Sequence, residues 1–333
     1  MKTKNAVTLK TIAKKVGVSV TTVTRAINGS PKSSAAMTAK VLKIADELGY
    51  VRNMEGVKLR TGKTFVLAAM LKFPSDTEIG DPTLLGILQG VHSRCAGTHY
   101  SVKVIITTSM DDELRELKQM IAGGTADGII LDHTLPQDPR VKLLLEANIP
   151  FVTFGRTELS SPHAHFDVDN EFASYQGTTE LLRQGYKRIA MLDGPLDFTY
   201  VHQRIAGYKR ALEKNQIPFD QQLVQTFPLK ADVAKELSTR LINEQKTDAF
   251  VCANDVVLLG TCAAVREHMK TSGQKFGLSV RGGTELGAYL DLKPAISFYS
   301  RVDAGWNLAD LLLKCIDGEP VEKLNLIAKT ELR

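Results

Sequence analysis

From Thr64 onward the chain alternates short apolar runs with amphipathic stretches, and this alternation constrains its fold more than any other feature. Strand-like runs fall at 65–71 (FVLAAML), 102–107 (VKVIIT), 128–131 (GIIL), 151–154 (FVTF), 188–192 (RIAML), 223–227 (LVQTF), 249–252 (AFVC) and 296–299 (ISFY). Helix signals lie between them. Asp81-Pro82 and Asp138-Pro139 each place a capping side chain before a proline that suits the first helical position. Asp111-Asp112-Glu113 puts acids at a helix N-terminus, and Asn254-Asp255 opens the run VVLLGTCAAV. Regular strand–helix alternation implies parallel sheets built from right-handed crossovers. So many units exceed one compact sheet and predict two similar subdomains with a cleft between them. In such open sheets ligands bind beyond the carboxyl ends of the strands.

The first 64 residues differ. They hold 13 Lys/Arg against three acids (Asp46, Glu47, Glu55), whereas the rest holds 29 basic and 34 acidic residues. A basic head suits a polyanion, because each phosphate contact releases counterions; a merely solvated head would read the same. Local pattern narrows this. Thr8 can cap a helix with Leu9, Ile12, Ala13 and Val16 on one face, and Gly17 can end it in a left-handed conformation. Ser19 caps a second helix over 20–28 with Val23 and Ile27 inward, and Ser34 starts a third that carries Val41, Ile44, Ala45 and Leu48. Three short helices with a tight Gly turn between the first two are the geometry of a helix-turn-helix, although a small bundle with another task has the same outline.

The broad classes are bounded next. No apolar stretch approaches the roughly 18 residues of a membrane helix, and no apolar segment follows the N-terminus as a secretory signal would. The cysteines at 95, 252, 262 and 315 form no CxxC pair. A cytoplasmic, reduced protein without metal or cofactor is expected.

Residues 7–30 (VTLKTIAKKVGVSVTTVTRAINGS), continuing through 48–50 (LGY), Asn53 and 59–63 (LRTGK), resemble the DNA-binding head of the lactose/galactose repressor family. The resemblance implies that the second helix enters the major groove. Val20 and Thr21 would then face base edges, and Arg25 a base or phosphate. Thr8, Leu9, Ser19, Thr22, Thr24 and Asn28 complete the expected DNA-facing set, largely as phosphate contacts that position without specifying. Residues 51–63 correspond to a link that folds on DNA and wedges a leucine, here Leu59, into the minor groove. Arg52 replaces the usual proline and Gly56 the usual alanine. Glycine costs a helix about 1 kcal/mol relative to alanine, so a link that depends on DNA to fold is expected.

The body resembles the periplasmic-binding-protein-type sensor of the same regulators through 127–131 (DGIIL), 167–170 (DVDN), 204–208 (RIAGY) and 252–260 (CANDVVLLG). What this implies is an α/β architecture: a three-helix head over 1–50, a link over 51–63 and a two-subdomain core over 64–333. The core divides into 64–164 plus 296–322 and 165–295 plus 323–333, the chain crossing three times. Asn254 and Arg204 match effector positions, against the plainer roles of a helix cap and a carboxylate partner. Phe73, Arg156, His202 and Arg281 are further candidates, with His133 weaker. The segment 279–285 (SVRGGTE) departs from the family, since Gly282 stands where an effector-binding aspartate is usual. Missing acids together with Arg156 and Arg281 suggest an acidic or phosphorylated sugar as effector, unless those arginines pair with Asp169 or Glu285. The resemblance thus implies a repressor of carbohydrate genes that acts as a homodimer on a palindromic DNA site, with effector and DNA affinities linked reciprocally. A cytoplasmic enzyme acting on a sugar or nucleotide is one rival, though no Gly-x-Gly-x-x-Gly, Walker loop, nucleophile elbow or metal-spaced His cluster is present. A transport-type sugar-binding protein is the other.

Overall fold

A computed structural model describes residues 7–51, 54–72, 83–282, 284 and 286–333. Phe73, the Asp81-Pro82 cap and Glu285 lie outside the described residues. The chain divides into a head, up to Lys63, and a body from Thr64 to Arg333.

In the head, α1 (Leu9–Val16), α2 (Val20–Ile27) and α3 (Ala35–Glu47) enclose one small core of Ile12, Ala13, Val16, Val23, Ala26, Val41 and Ala45. The caps are those the sequence specifies. Thr8 and Thr11 exchange side-chain-to-backbone bonds at the start of α1, Ser19 accepts from Thr22 N–H at 3.1 Å, and Ser34 accepts from Met37 N–H at 3.3 Å. Gly17 closes α1 at φ 82°, which spares the turn the left-handed strain of a side chain. The link carries a helix, α4 (Met54–Thr61).

The body contains, in order, β1 (Val66–Lys72), α5 (Thr83–Cys95), β2 (Ser101–Thr107), α6 (Met110–Gly123), β3 (Gly128–Leu131), α7 (Pro139–Glu146), β4 (Phe151–Phe154) and β5 (His165–Val168). There follow α8 (Asn170–Arg183), β6 (Ile189–Asp193), α9 (Thr199–Lys214), β7 (Val224–Thr226), α10 (Ala231–Gln245), β8 (Ala249–Cys252), α11 (Asp255–Ser272) and β9 (Gly277–Gly282). The last elements are β10 (Ala295–Phe298), α12 (Arg301–Ile316), β11 (Asn325–Ala328) and β12 (Glu331–Leu332). They form two six-stranded sheets, ordered β11-β5-β4-β3-β1-β2 and β12-β10-β9-β8-β6-β7. Every pairing is parallel except β10 with β12.

The chain passes between the sheets after Val168, Phe298 and Ala328. These crossings correct the expected boundaries, because β5 and β11 belong to the first sheet and β10 to the second. The reason is physical: His165-Phe-Asp-Val168 lacks a clear apolar alternation and becomes a strand by pairing with β4 and β11. Both faces of the inner strands β1, β3, β6 and β8 are covered, so these read as unbroken apolar runs. In the second sheet Ala190, Leu192, Phe250, Cys252, Leu278 and Val280 face one core. Ile189, Met191, Ala249 and Val251 face the other, with Leu181 of α8 and Tyr208 of α9.

Candidate functional site

On α2 the side chains divide cleanly. Val23 and Ala26 are buried, whereas Val20 is 38% exposed and Thr21 and Arg25 are exposed beside it. A short helix thus presents a methyl surface, one hydroxyl and one guanidinium to solvent. The hydroxyls expected to meet phosphates already have local tasks. Thr8 and Ser19 cap, Thr22 shares a 2.9 Å bond with Ser19, and Thr24 donates to the Val20 carbonyl at 2.9 Å. Each keeps lone pairs that can serve a second partner. Leu9 packs in part against the head's own core, and Asn28 is the exposed C-terminal cap of α2. Leu59 falls on α4, with its side chain outside the described residues.

In the body, polar side chains from the carboxyl ends of both sheets join in one chain. Arg156, just after β4, donates through Nε to Asp167 of β5 at 2.8 Å. Asp167 accepts at 3.1 Å from Asn170, the first residue of α8. Asn170 in turn accepts from Arg204 Nε at 3.1 Å, and Arg204 Nη1 donates to Asp193 Oδ1 at 3.0 Å. Asp193 ends β6 and is fully buried. Burial pushes its carboxyl above the usual carboxylate range, and the Arg204 guanidinium opposes that shift. Asp167 is raised for the same reason, with Arg156 opposing.

These pairings change the electrostatic expectation. Arg156 pairs with Asp167 rather than with Asp169, which is the cap of α8. Neither Arg156 nor Arg204 therefore adds an unbalanced positive charge. Arg281, on β9, is only 8% exposed and turns toward α8 inside the second subdomain. His202 is exposed and donates to the Leu196 carbonyl at 2.7 Å. Asn254 caps α11 by accepting from Val257 N–H at 3.0 Å.

A second group bridges the two sheets' loops. Thr199, at the start of α9, donates through its N–H to the Thr134 carbonyl after β3 at 3.1 Å. Phe198 and Tyr200 stack with centroids 5.4 Å apart and planes 6° apart. His133 meets both edge-on, Lys72 lies 5.7 Å from the Phe198 centroid, and Arg204 lies 4.6 Å from that of Tyr200. Asp193, Asn170, Phe198, Tyr200 and Thr134 were not singled out from sequence. One signal was available: Asp193 is an acid ending an otherwise apolar buried run. Among the described residues no group of His, Cys, Asp or Glu is arranged to hold a metal, and no helix is long and apolar enough to cross a membrane.

Residues 8–53 match the bacterial regulatory proteins of the lacI family. Residues 76–326 match the periplasmic binding proteins and sugar binding domain of the LacI family. The chain belongs to the LacI family. This LacI-family chain is 28% identical over 288 residues to the HTH-type transcriptional regulator MalR of Streptococcus pneumoniae, covering 86% of this chain and 88% of that one. It is 29% identical over 333 residues to the HTH-type transcriptional regulator CelR of Thermobifida fusca, covering 98% and 96%. Among solved structures, a complex of the transcriptional regulator CelR with cellobiose superposes with a TM-score of 0.72 at 26% identity, covering 98% of each chain. The lac repressor dimer bound to operator and the anti-inducer ONPF shares the fold at a TM-score of 0.78 and 22% identity, again over 98% of each. The LacI-family chain is thus a DNA-binding transcription regulator with an effector-binding core. The enzyme and transport-protein readings fall away, since its relatives are transcriptional regulators.

Proposed function

We propose that this protein is a cytoplasmic repressor of carbohydrate uptake or catabolism genes, released or tightened on its operator by a neutral sugar or oligosaccharide. The observation that carries the effector class is the balanced Arg156–Asp167–Asn170–Arg204–Asp193 chain. It offers alternating donors and acceptors without a spare full charge from Arg156 or Arg204, which suits hydroxyls better than a carboxylate or phosphate. The complex of the similar regulator CelR with cellobiose favours the same class. Asn254 and Arg204 are the effector contacts of this proposal, with Arg156 beside them and Arg281 behind. On DNA, Val20, Thr21 and Arg25 read the major groove and Leu59 the minor groove.

A head reading only a few bases needs a paired copy on a palindromic site. The body offers a surface for that copy. Edge strand β2 exposes Val104 (43%) and Ile106 (63%), and the adjoining α5 exposes Leu85 (73%). An exposed apolar edge is an aggregation hazard unless another chain covers it.

Calorimetric titration of the full chain with neutral sugars, sugar acids and sugar phosphates tests the effector. Binding by a neutral sugar, with a reciprocal change in affinity for palindromic DNA, is expected; binding confined to acids or phosphates overturns the class. Sedimentation of the wild type against Ile106→Asp tests the dimer face. A wild-type monomer, or an undisturbed variant dimer, rejects that surface.

A further inference from the structure

The α8-facing side of the second sheet changes character along its length. Toward the amino ends it is apolar, with Ile189, Met191, Ala249 and Val251. Toward the carboxyl ends the same face presents Asp193, Ser279, Arg281 and Ser297. With Ser174 of α8 and Arg204 of α9 these side chains line a small internal cavity, in which the centre of a water molecule has about 10 Å³ to occupy. That is about the least space that holds one water.

Three polar atoms of the lining residues have no hydrogen-bond partner among the described residues: Ser174 Oγ, Asp193 Oδ2 and Arg281 Nε. Their residues are 5%, 0% and 8% exposed, so bulk solvent does not serve them. Left alone, each would bear the cost of a buried polar atom stripped of its partner. The mixture of charges restricts what can satisfy all three. An ammonium ion would meet the Arg281 guanidinium, and a halide would meet the Asp193 carboxylate. Water's chemistry matches the whole set, because it can donate to Asp193 Oδ2, accept from Arg281 Nε–H and exchange a third bond with the Ser174 hydroxyl.

We propose that this cavity is a single-water site, and that the bound water orients Asp193 and, through it, Arg204. The connection is direct. Asp193 Oδ1 accepts from Arg204 Nη1 at 3.0 Å and from Gly194 N–H at 2.7 Å, so the water on Oδ2 fixes the remaining edge of the carboxylate. Ser174 and Arg281 are then positioning residues for Arg204. The existence of the site stands apart from the effector reading; its consequence for effector binding rests on it.

A high-resolution crystal structure of the full chain tests the site without effector or DNA. One ordered water within hydrogen-bond distance of Ser174 Oγ, Asp193 Oδ2 and Arg281 Nε is expected. Ser174→Val, which fills the space and removes a partner, is expected to expel it, to disorder the Arg204 guanidinium, and to lower the melting temperature by about 2–4 °C. Ser174→Ala should keep the water on its two other partners with a smaller drop. The proposal is overturned by a dry wild-type cavity, by a direct Asp193–Arg281 contact that closes it, by a chloride in it, or by a Ser174→Val variant that melts no lower than wild type. Should that variant not fold, the wild-type map alone decides. A failure here leaves sugar titration untouched, and failure of every sugar leaves the water visible.

Discussion

Single residues in this chain show how burial decides what a charge or hydroxyl does. Arg204 acts both as counter-ion and as a fork, whose two arms hold Asn170 and Asp193 in one arrangement. Arg204→Met leaves Asp193 buried without its counter-ion and should destabilise the body by roughly 3–5 kcal/mol in urea melts. The double variant with Asp193→Asn should recover most of that loss; no recovery would mean that Arg204 acts through packing. His163 illustrates the opposite case, a titratable group kept neutral. It is 6% exposed, stacks on Phe151 and shares a 3.2 Å bond with Thr153. Burial, with His165 adding repulsion, lowers its pKa below the usual histidine value. Because the folded pKa lies under the unfolded one, the unfolded chain binds more protons on acidification. The stability due to a neutral His163 is thus present above about pH 6.5 and is lost as pH falls through that value toward the folded pKa. Melting temperatures recorded from pH 7.5 to 5.5 should fall for the wild type and fall less for His163→Gln.

Between elements, glycine sets how closely helices approach. A Cβ at Gly90 of α5 would lie 1.9 Å from the Val302 carbonyl of α12, and one at Gly305 would lie 2.0 Å from that of Ile87. Backbone occupies both sides, so no side chain can move aside. Gly90→Ala should force the pair apart and cost roughly 1–3 kcal/mol or more, read from the urea midpoint at constant slope. An unchanged midpoint would show that the α5–α12 crossing relaxes freely. In the link the sign reverses. Gly56 is exposed on α4, where alanine favours helix by about 1 kcal/mol. Gly56→Ala should therefore tighten operator binding by about fivefold in gel shifts at fixed salt, with the body's melting unchanged. Elements of this kind were legible where caps and periodicity agree, as for α1, α2, α3, α7 and α11. β5 and β11 were not, because their short, partly polar runs are strands only through their neighbours.

Across the whole body, the contact of Thr199 with Thr134 and the stack of Lys72, Phe198, Tyr200 and Arg204 tie the loops of the two sheets to Arg204, the proposed effector contact. Effector control of DNA requires a two-state element that both ligands bias, and this junction is placed to be part of one. Phe198→Ala removes the middle of the stack. Hydrogen exchange at the Thr199 amide should accelerate in that variant while α10 keeps its protection. Unaltered exchange at Thr199 would reduce the stack to local packing.

The basic head was determined by the sequence itself. Its caps, its Gly17 turn and the inward positions Ile12, Val16, Val23 and Val41 are local features, and local hydrogen bonds and helical spacing suffice to place Val20, Thr21 and Arg25 outside. The two-sheet body was likewise written in alternating runs, because each buried parallel strand must be apolar on both faces. The charge balance around Arg204 was not. Arg156 and Arg281 look alike as residues in loops and strand ends, yet one pairs with Asp167 and the other turns inward beneath α8. Which carboxylate meets which guanidinium depends on strands and helices far apart in the chain, and no local pattern carries that distance. Tertiary structure alone paired Arg156 with Asp167 and Arg204 with Asp193 and placed a small polar cavity beside Arg204.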